Sequence, residues 1–558
     1  MAKNICLVKS GVRKLLCTRR LFFNYLYPSM ELNKIYFPVS SSVGSRTMAK
    51  KFFLIALIII LNSAVWAQQY DNVWPLATYY SSNNIYYYLD FSSGIPDTFI
   101  YQRKMHICDT EAAMSDNSGN IQFYTNGIWI ANKVNDTLYN SQNFNSGWAT
   151  GNYWNTGMCF SQSALALPFN DSSKHYFLIY ENAEPFYNID NALDAQPFYL
   201  SYSVIDMSLD SGKGGIPLGF KDIRPIQDTL LLGRITACKH ANGRDWWVVV
   251  HKYYSDIYYK LLFTPLGVFG PFIQQIGSVF PAKLQGGDDF DIWGMTSFSP
   301  DGNKYIMVGP SRIMQILDFD RCTGLFFNYQ TANIPASPGG DTWALGCNFS
   351  PSSRYIYTNT YTRAFQYDSY ASNIDSSGIV IAVYDTFLNP FDTYFFLNQL
   401  GPDGKIYLST FNGCRVLHVI NYPDSAGLSC DFSLHGFALP PNYGGNTGLP
   451  NFPNYRLGRL NGSPCDTLTA ISYAESNNVE LKILPNPNEG NFIIKYSLPH
   501  NRNGTLEIYN ILGLKIYSLY LPEWSIMQRI DVSNLPSGIY ICKLKSQDEH
   551  LVIKFMKE

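Results

Sequence analysis

The sequence predicts an all-β protein: a β-propeller of about seven blades, six being the other count its spacing admits, followed by a small C-terminal β-sandwich. Three observations carry this reading. Charged residues make up only 15% of the 558-residue chain while aromatics reach 16%, with 41 Tyr, 36 Phe, 41 Gly and 30 Pro. That composition opposes disorder and coiled coils and favours strands joined by tight turns. One hairpin-like pattern returns six times through the body, and the last eighty residues break into short apolar runs separated by Gly and Pro.

The front of the chain is an address. Residues 1–47 carry eight Lys/Arg against one acid, residues 48–67 add Lys50 and Lys51, and the rest of the chain holds a net −11 within a total of −2. A body of that sign lacks the positive footprint of a nucleic-acid or anionic-membrane binder, so no nucleic-acid partner is expected. Lys50 and Lys51 precede an unbroken apolar run, Phe52 to Leu61, and small residues end the segment at Val65 and Ala67. This is the pattern of a secretory signal peptide, residues 48–67, cleaved between Ala67 and Gln68. A membrane-spanning helix needs about 20 apolar residues, and this run is too short. Met48 is then the expected start, and residues 1–47 are an upstream over-extension.

Export permits disulfides. Eight of the eleven cysteines lie in the body, at 108, 159, 238, 322, 347, 414, 430 and 465, and no C-x-x-C spacing of a structural zinc site occurs. Spacing alone does not fix the pairing. The expectation from position is Cys322 with Cys347 across adjacent strands, and Cys430 with Cys465 as a second pair.

Residues 68–461 are read as the propeller. The clearest copies of the repeated turn are Phe298-Ser-Pro-Asp-Gly-Asn-Lys-Tyr, Leu400-Gly-Pro-Asp-Gly-Lys-Ile-Tyr and Phe349-Ser-Pro-Ser-Ser-Arg-Tyr. Looser copies start at Ser115, Asn170 and His240. Pro presets the first turn position, Asp caps the turn and Gly supplies the positive φ, after which the chain returns as a strand. The markers fall at 119, 173, 243, 302, 353 and 404, at intervals of 54, 70, 59, 51 and 51 residues. Periods near 50 suit four-stranded blades, whereas a pair of plain sandwiches would not space its turns so evenly.

Residues 462–478 read as a polar linker and 479–558 as the sandwich, with strands expected at Val479–Leu484, Asn491–Ser497, Thr505–Tyr509, Leu514–Tyr520, Ile539–Lys545 and Val552–Phe555. The stretches Leu484-Pro485-Asn486-Pro487-Asn-Glu-Gly490, Glu507-Ile-Tyr-Asn-Ile-Leu-Gly513, Leu535-Pro-Ser-Gly538-Ile-Tyr540 and the last strand bearing Lys554 occur in order at the very end. Together they resemble the type A C-terminal sorting domain of the type IX secretion system. The resemblance implies passage across the outer membrane with that machinery as partner. Removal of the tail by a cell-surface peptidase follows, with a cut between Cys465 and Asn478, and then attachment to a surface lipopolysaccharide or release. The body in turn resembles a group of exported propeller-like proteins of Bacteroidota that carry this tail. Tyr202-Ser-Val-Ile-Asp-Met207, Lys239-His-Ala-Asn-Gly-Arg-Asp-Trp246, Asp318-Phe-Asp-Arg-Cys-Thr-Gly324 and Leu449-Pro-Asn-Phe-Pro-Asn454 are among the stretches that carry the likeness. It implies no activity.

Catalytic signatures are absent: the sequence has no G-x-S-x-G, H-E-x-x-H or Gly-Lys-Ser/Thr phosphate loop. His240, Asp245 and His251 are the residue types of a base, an orienting acid and a second imidazole, but they flank a strand and need not converge. Asp288, Asp289 and Asp291 cluster in Gly286–Asp291, where calcium is the one cofactor candidate and a solvated loop the plainer reading. Asp109 and Glu111 lie two apart on a strand-like segment and would share a face. Ser115–Phe123 is similar to the Asp-box turn of sialidase-like propellers, a structural turn even where it matches fully. Trp129, Trp148, Trp154, Trp246, Trp247, Trp293 and Trp343 are read mainly as blade core, with a minority free to stack on a glycan or peptide. The function expected is a secreted or surface-displayed binding module with no catalytic residue assigned and an extracellular protein or glycan as ligand. The alternatives are an extracellular glycan- or peptide-degrading enzyme using channel carboxylates, or a structural component of the surface or gliding layer.

Overall fold

The computed structural model describes residues 68–558 apart from 78–85, 102, 170–173, 188–192, 266, 281–293, 310, 337–342, 441–446, 466–480, 497, 499–502, 522–526 and 547–548. The segment expected to be a signal peptide, residues 48–67 with Ala67, and the Asp288–Asp291 cluster therefore lie outside the described residues.

Seven antiparallel sheets follow one another along the chain, each a meander of consecutive strands: residues 73–101, 112–132, 164–227, 236–280, 296–333, 346–383 and 395–438. The first two have three strands among the described residues and the other five have four. The opening strands of successive sheets lie side by side around a centre: Val73–Pro75 beside Ala112–Ser115, that beside Ala164–Pro168, and Thr236–Lys239, Thr296–Phe298, Gly346–Phe349 and Phe395–Leu400 each beside the next. Blades 3 and 4 are tied by Ile235 N donating to the Gln162 carbonyl at 3.1 Å. Trp74 of the first sheet meets Tyr407 of the seventh edge-on, with ring centroids 5.7 Å apart, and this closes the ring. The chain is a seven-bladed propeller.

Five of the six turn markers fall in the same place, the hairpin between the first and second strand of blades 2 and 4 to 7, and the sixth, at 173, lies outside the described residues. Gly302 (φ +76°) and Gly404 (φ +79°) adopt the left-handed conformation that makes the Asp-Gly turn close. In the Ser-Ser-Arg copy Ser353 takes that conformation instead, at φ +67°. These hairpins define a turn face of the ring; the opposite face carries the connections between blades and is called the loop face. Blade packing is aromatic and aliphatic throughout. Trp74, Trp246, Tyr176, Tyr180 and Tyr258 are fully buried, so the unusual aromatic content is mostly the cement between sheets.

The tail is a two-sheet sandwich. One sheet holds Lys482–Leu484, Asn491–Lys495 and Met527–Asp531; the other holds Gly504–Asn510, Lys515–Leu521, Gly538–Ser546 and Glu549–Lys557. Between them lies a core of its own, built from Ile483, Phe492, Ile494, Leu506, Ile508, Leu544 and Phe555 among others. Each of the six anticipated strands is present in whole or part. The seventh, Met527–Asp531, has too short an apolar alternation to stand out in the sequence.

The cysteine pairing differs from the expectation. Cys108 bonds to Cys159 and Cys322 to Cys465, while Cys347 and Cys430 are buried thiols. Cys347 sits on the innermost strand of blade 6 and Cys430 behind the last strand of blade 7, each within apolar packing. Cys322 instead lies at the turn closing blade 5, where the segment leaving the propeller returns to meet it.

Candidate functional site

The centre of a propeller is where ligands commonly reach loops from several blades, and here the chain itself fills it. After blade 7 the chain enters from the loop face at Thr447 and leaves on the turn face near Leu460. Ser409 Oγ donates to the Thr447 carbonyl at 2.6 Å. Asn451 N donates to the Glu111 carbonyl at 3.1 Å. The Asn451 side-chain amide donates to the carbonyls of Ala164 (3.0 Å) and Ile235 (2.8 Å) and accepts from Gln162 Nε2 at 3.3 Å. Tyr455 Oη donates to the Ala166 carbonyl at 2.7 Å, and Asn454 Nδ2 to that of Pro300 at 2.7 Å. Arg456 grips Asp71 with two bonds of 2.6 and 2.7 Å. Residues 447–456 thus bond to blades 2, 3, 4, 5 and 7 and to the segment leading into blade 1. Inner strands leave free backbone groups along the channel, and the Asn451 amide with its donors and acceptor satisfies several at once. The space left beside this plug on the turn face is about 70 Å³, lined by Gln162, Asn348, Gln399 and Asn451 among others. It has room for a few waters and none for a sugar ring.

The carboxylates near the plug's entry are shut in. Glu111 is 1% and Asp109 6% exposed, and Gly448 packs onto the Cys108–Asp109 backbone. Burial pushes the Glu111 carboxyl well above its ordinary range, with Arg103 opposing, and pushes Asp109 up to about 6 against its hydrogen bond with Thr447. For Asp109 the sign is fixed: the unfolded carboxyl ionises near 4 while the folded one still holds its proton. Stability therefore falls as pH rises from about 4 through about 6, by about 3 kcal/mol in all. Asp109→Asn should accordingly raise the unfolding midpoint of the body at pH 8 and leave it almost unchanged at pH 4, as read by denaturant titration at both pH values. Equal effects at the two would refute the assignment.

The other candidates are structural or separate. His240 Nε2 lies 3.0 Å from the Cys322 carbonyl, and Asp245 is held by Arg244 at 2.7 Å and by Asn242. His251 is at the far end of the strand Trp246–His251, buried against Tyr258, and its imidazole is pushed down to about 3 by burial. The three do not form a site. Asp116 caps its own turn through the N–H groups of Ser118 and Asn120 at 2.9 and 3.0 Å. Among the described residues no group of three or more His, Cys, Asp or Glu side chains is placed to hold a metal ion.

Aromatic rings do reach solvent on the loop face. The 133–163 connection between blades 2 and 3 carries a one-turn helix, Trp148–Asn152, pinned where Trp148 N and Ala149 N donate to Glu184 and Asn182 of blade 3. The Cys108–Cys159 bridge fixes its return. Trp148 is 38% and Trp154 60% exposed there, and Tyr187, at the loop-face end of the blade 3 hairpin, is 71% exposed. Trp129 and Trp343 are packed against the core, Trp246 and Trp247 are buried, and Trp293 lies outside the described residues. An apolar hollow of about 370 Å³ also lies between the rim of blade 3, at Phe169, Tyr202 and Phe220, and tail residues Leu484, Phe492 and Ile493. One of its walls belongs to the sorting tail.

Within the tail, the motif residues converge. Asn486 Oδ1 accepts from Met556 N at 2.9 Å and its amide donates to the Lys554 carbonyl at 3.1 Å. The Pro485-Asn486-Pro487 turn is thereby laid along the last strand. Gly490, at φ +96°, passes so close to Ser533 that a Cβ would lie 2.7 Å from its Cα. Gly513 closes the turn before Lys515–Leu521, Gly538 opens the strand ending at Ser546, and Tyr540 donates to the Pro536 carbonyl at 2.6 Å.

Residues 482–558 match the family described as secretion system C-terminal sorting domain. No curated protein matches the chain. Among solved structures, a putative 6-phosphogluconolactonase from Bacteroides uniformis is similar at 11% identity, covering 62% of this chain and 91% of its own, with a TM-score of 0.34. A functionally unknown protein from Desulfotomaculum acetoxidans gives 13%, 69%, 100% and 0.36. The Cps50 (Swd1) β-propeller domain of Myceliophteria thermophila gives 10%, 66%, 96% and 0.26. Scores of this size carry no functional argument. The sorting tail does: the protein is exported by the type IX route to the cell surface or beyond.

Proposed function

We propose that the mature protein works outside the cell as a rigid binding module, recognising an extracellular glycan or protein through the loop face of blades 2 to 4. The observation that carries this is the filled centre. With the channel occupied by residues 447–456, recognition falls to the connections around it, where Trp148, Trp154 and Tyr187 present rings to solvent. Exposed aromatic faces held on pinned loops suit stacking against sugar rings or apolar side chains. Burial of Asp109 and Glu111 beneath the plug supports binding over hydrolysis, because a glycosidase needs its carboxylates in an open cleft. The Gly286–Asp291 cluster stays a proposal for a calcium-stabilised loop. On this reading residues 48–67 direct export across the inner membrane, the tail is removed by a surface peptidase within the linker, and the body is then attached to lipopolysaccharide or released.

The test is a binding screen of the purified body-plus-tail protein against laminarin, xylan, chitin oligosaccharides and surface-protein extracts. Trp148→Ala with Trp154→Ala should weaken the best interaction about tenfold or more, the equivalent of roughly 1.4 kcal/mol. Unchanged affinity in the double variant would sink the assignment of this face.

A further inference from the structure

We infer that residues 447–465 are a disulfide-locked latch: they close the propeller ring in place of strand exchange, and the Cys322–Cys465 bond keeps the latch seated once the sorting tail has been cut away. Propellers must join their first and last blades. Among the described residues, the strands of blade 1 come from N-terminal residues 73–101 and those of blade 7 from residues 395–438, and none is shared between the two ends of the chain. The join is made by the plug. Arg456 reaches Asp71, just before blade 1, across 385 residues, while Ser409 and Gln399 of blade 7 donate to the carbonyls of Thr447 and Phe452. The Phe452 ring lies 6.0 Å from that of Trp74.

The far end of the latch is clamped from blade 5. Arg321 donates through Nε to the Lys239 carbonyl at 2.8 Å and through Nη2 to that of Gly458 at 2.5 Å. Leu460 N donates to the Ala241 carbonyl at 2.8 Å. The next residue of blade 5, Cys322, is bonded to Cys465. Cys465 is the last described residue before the 466–480 stretch that joins body to tail. A cut in that stretch leaves a new chain end, and without the bond this end would be free to fray back through the channel. The bond places a covalent stop between the cut and the plug. The latch therefore belongs to the mature body, whose boundary is Cys465 rather than Asn461.

The inference is tested in full-length protein with a site-specific protease sequence inserted in the 466–478 linker. After cleavage, trypsin attack at Arg456 and Arg459 is followed by mass spectrometry. The oxidised cut protein should resist as the uncut protein does. The cut Cys465→Ser protein should be cleaved at those two bonds at least tenfold faster, and uncut Cys465→Ser should be intermediate. Asn451→Ala should speed cleavage in the oxidised protein as well, since it loosens the plug without touching the bond. Rapid cleavage of the oxidised cut protein, or equal resistance of the cut Cys465→Ser protein, would overturn the latch. Should Cys465→Ser fail to accumulate, Cys322→Ser removes the same bond from the other side and leaves Cys108–Cys159 intact.

Discussion

Deletion of residues 482–558 should abolish appearance of the protein at the cell surface and in the medium and leave a folded body in the periplasm. The two outcomes separate because the two parts have separate cores: the propeller is held by its own aromatic and aliphatic cluster and the sandwich by another. Immunoblots of periplasmic, surface and medium fractions give the export result, and resistance of the periplasmic species to protease gives the folding result. A subtler variant tests the same point without removing any residue. Gly490→Val puts a side chain where a Cβ already lies 2.7 Å from Ser533 Cα and 2.8 Å from Lys557 Cε, on a backbone at φ +96°. It should unfold the sandwich and block export as fully as the deletion. Normal secretion of either variant would remove the basis for the export route.

The second large effect is expected at Gly448, where the plug enters the ring. A Cβ there would collide with the Cys108 carbonyl oxygen, 3.0 Å from Asp109 Cα and 3.2 Å from Ala77 Cβ. None of these can yield: two are backbone of the segment tied by Cys108–Cys159, and the third sits against blade 1. Gly448→Ala should therefore cost about 3 kcal/mol, the upper end of what overpacking a rigid interior costs. The control is Gly458→Ala, further along the same segment, where the added methyl meets nothing within 4 Å. It should be neutral to within about 0.5 kcal/mol. The body's unfolding midpoint in guanidinium reads both, and equal midpoints for the two variants would show that the entry point is not tightly packed.

Much of this architecture was legible in the chain because a propeller writes its turns into local sequence. Asp301-Gly302 and Asp403-Gly404 announce hairpins by residues that the backbone geometry demands, and their spacing counts the blades. Blade 1 carried no marker because its first connection, Leu76 to Ile85, contains neither Gly nor Asp, so the count stood between six and seven. The tail was legible for the same local reason. The plug was not. Leu449-Pro-Asn-Phe-Pro-Asn454 has no period and pairs with no strand; its meaning lies in carbonyls contributed by residues hundreds of positions away. Cysteine pairing failed for a related reason. Cys347 lies nearest to Cys322 in sequence, yet the partner of Cys322 is set by where the exit segment lands after crossing the ring. Of the stretches behind the resemblance of the body, Asp318–Gly324 supplies Arg321 and Cys322, which hold the exit segment at Gly458 and Cys465, while Leu449–Asn454 lies in the plug itself and bonds to blades 2, 3, 4, 5 and 7. The exposed pair Trp148 and Trp154 was within the sequence's list of aromatics, but nothing local distinguished it from the buried Trp246 and Trp247.

Threading the centre with the final stretch of the body also orders events in time. The polypeptide emerges from its N-terminus, so every blade is available before the piece that seals them. Bonds such as Arg456 to Asp71 join residues almost four hundred positions apart, and contacts of that span form slowly. Until residues 447–456 are available, the bonds they make to blades 2, 3, 4, 5 and 7 cannot form, so the ring closes last. The sealing residues lie just upstream of the sorting tail in the chain, so the last contacts of the body and the export signal become available one directly after the other.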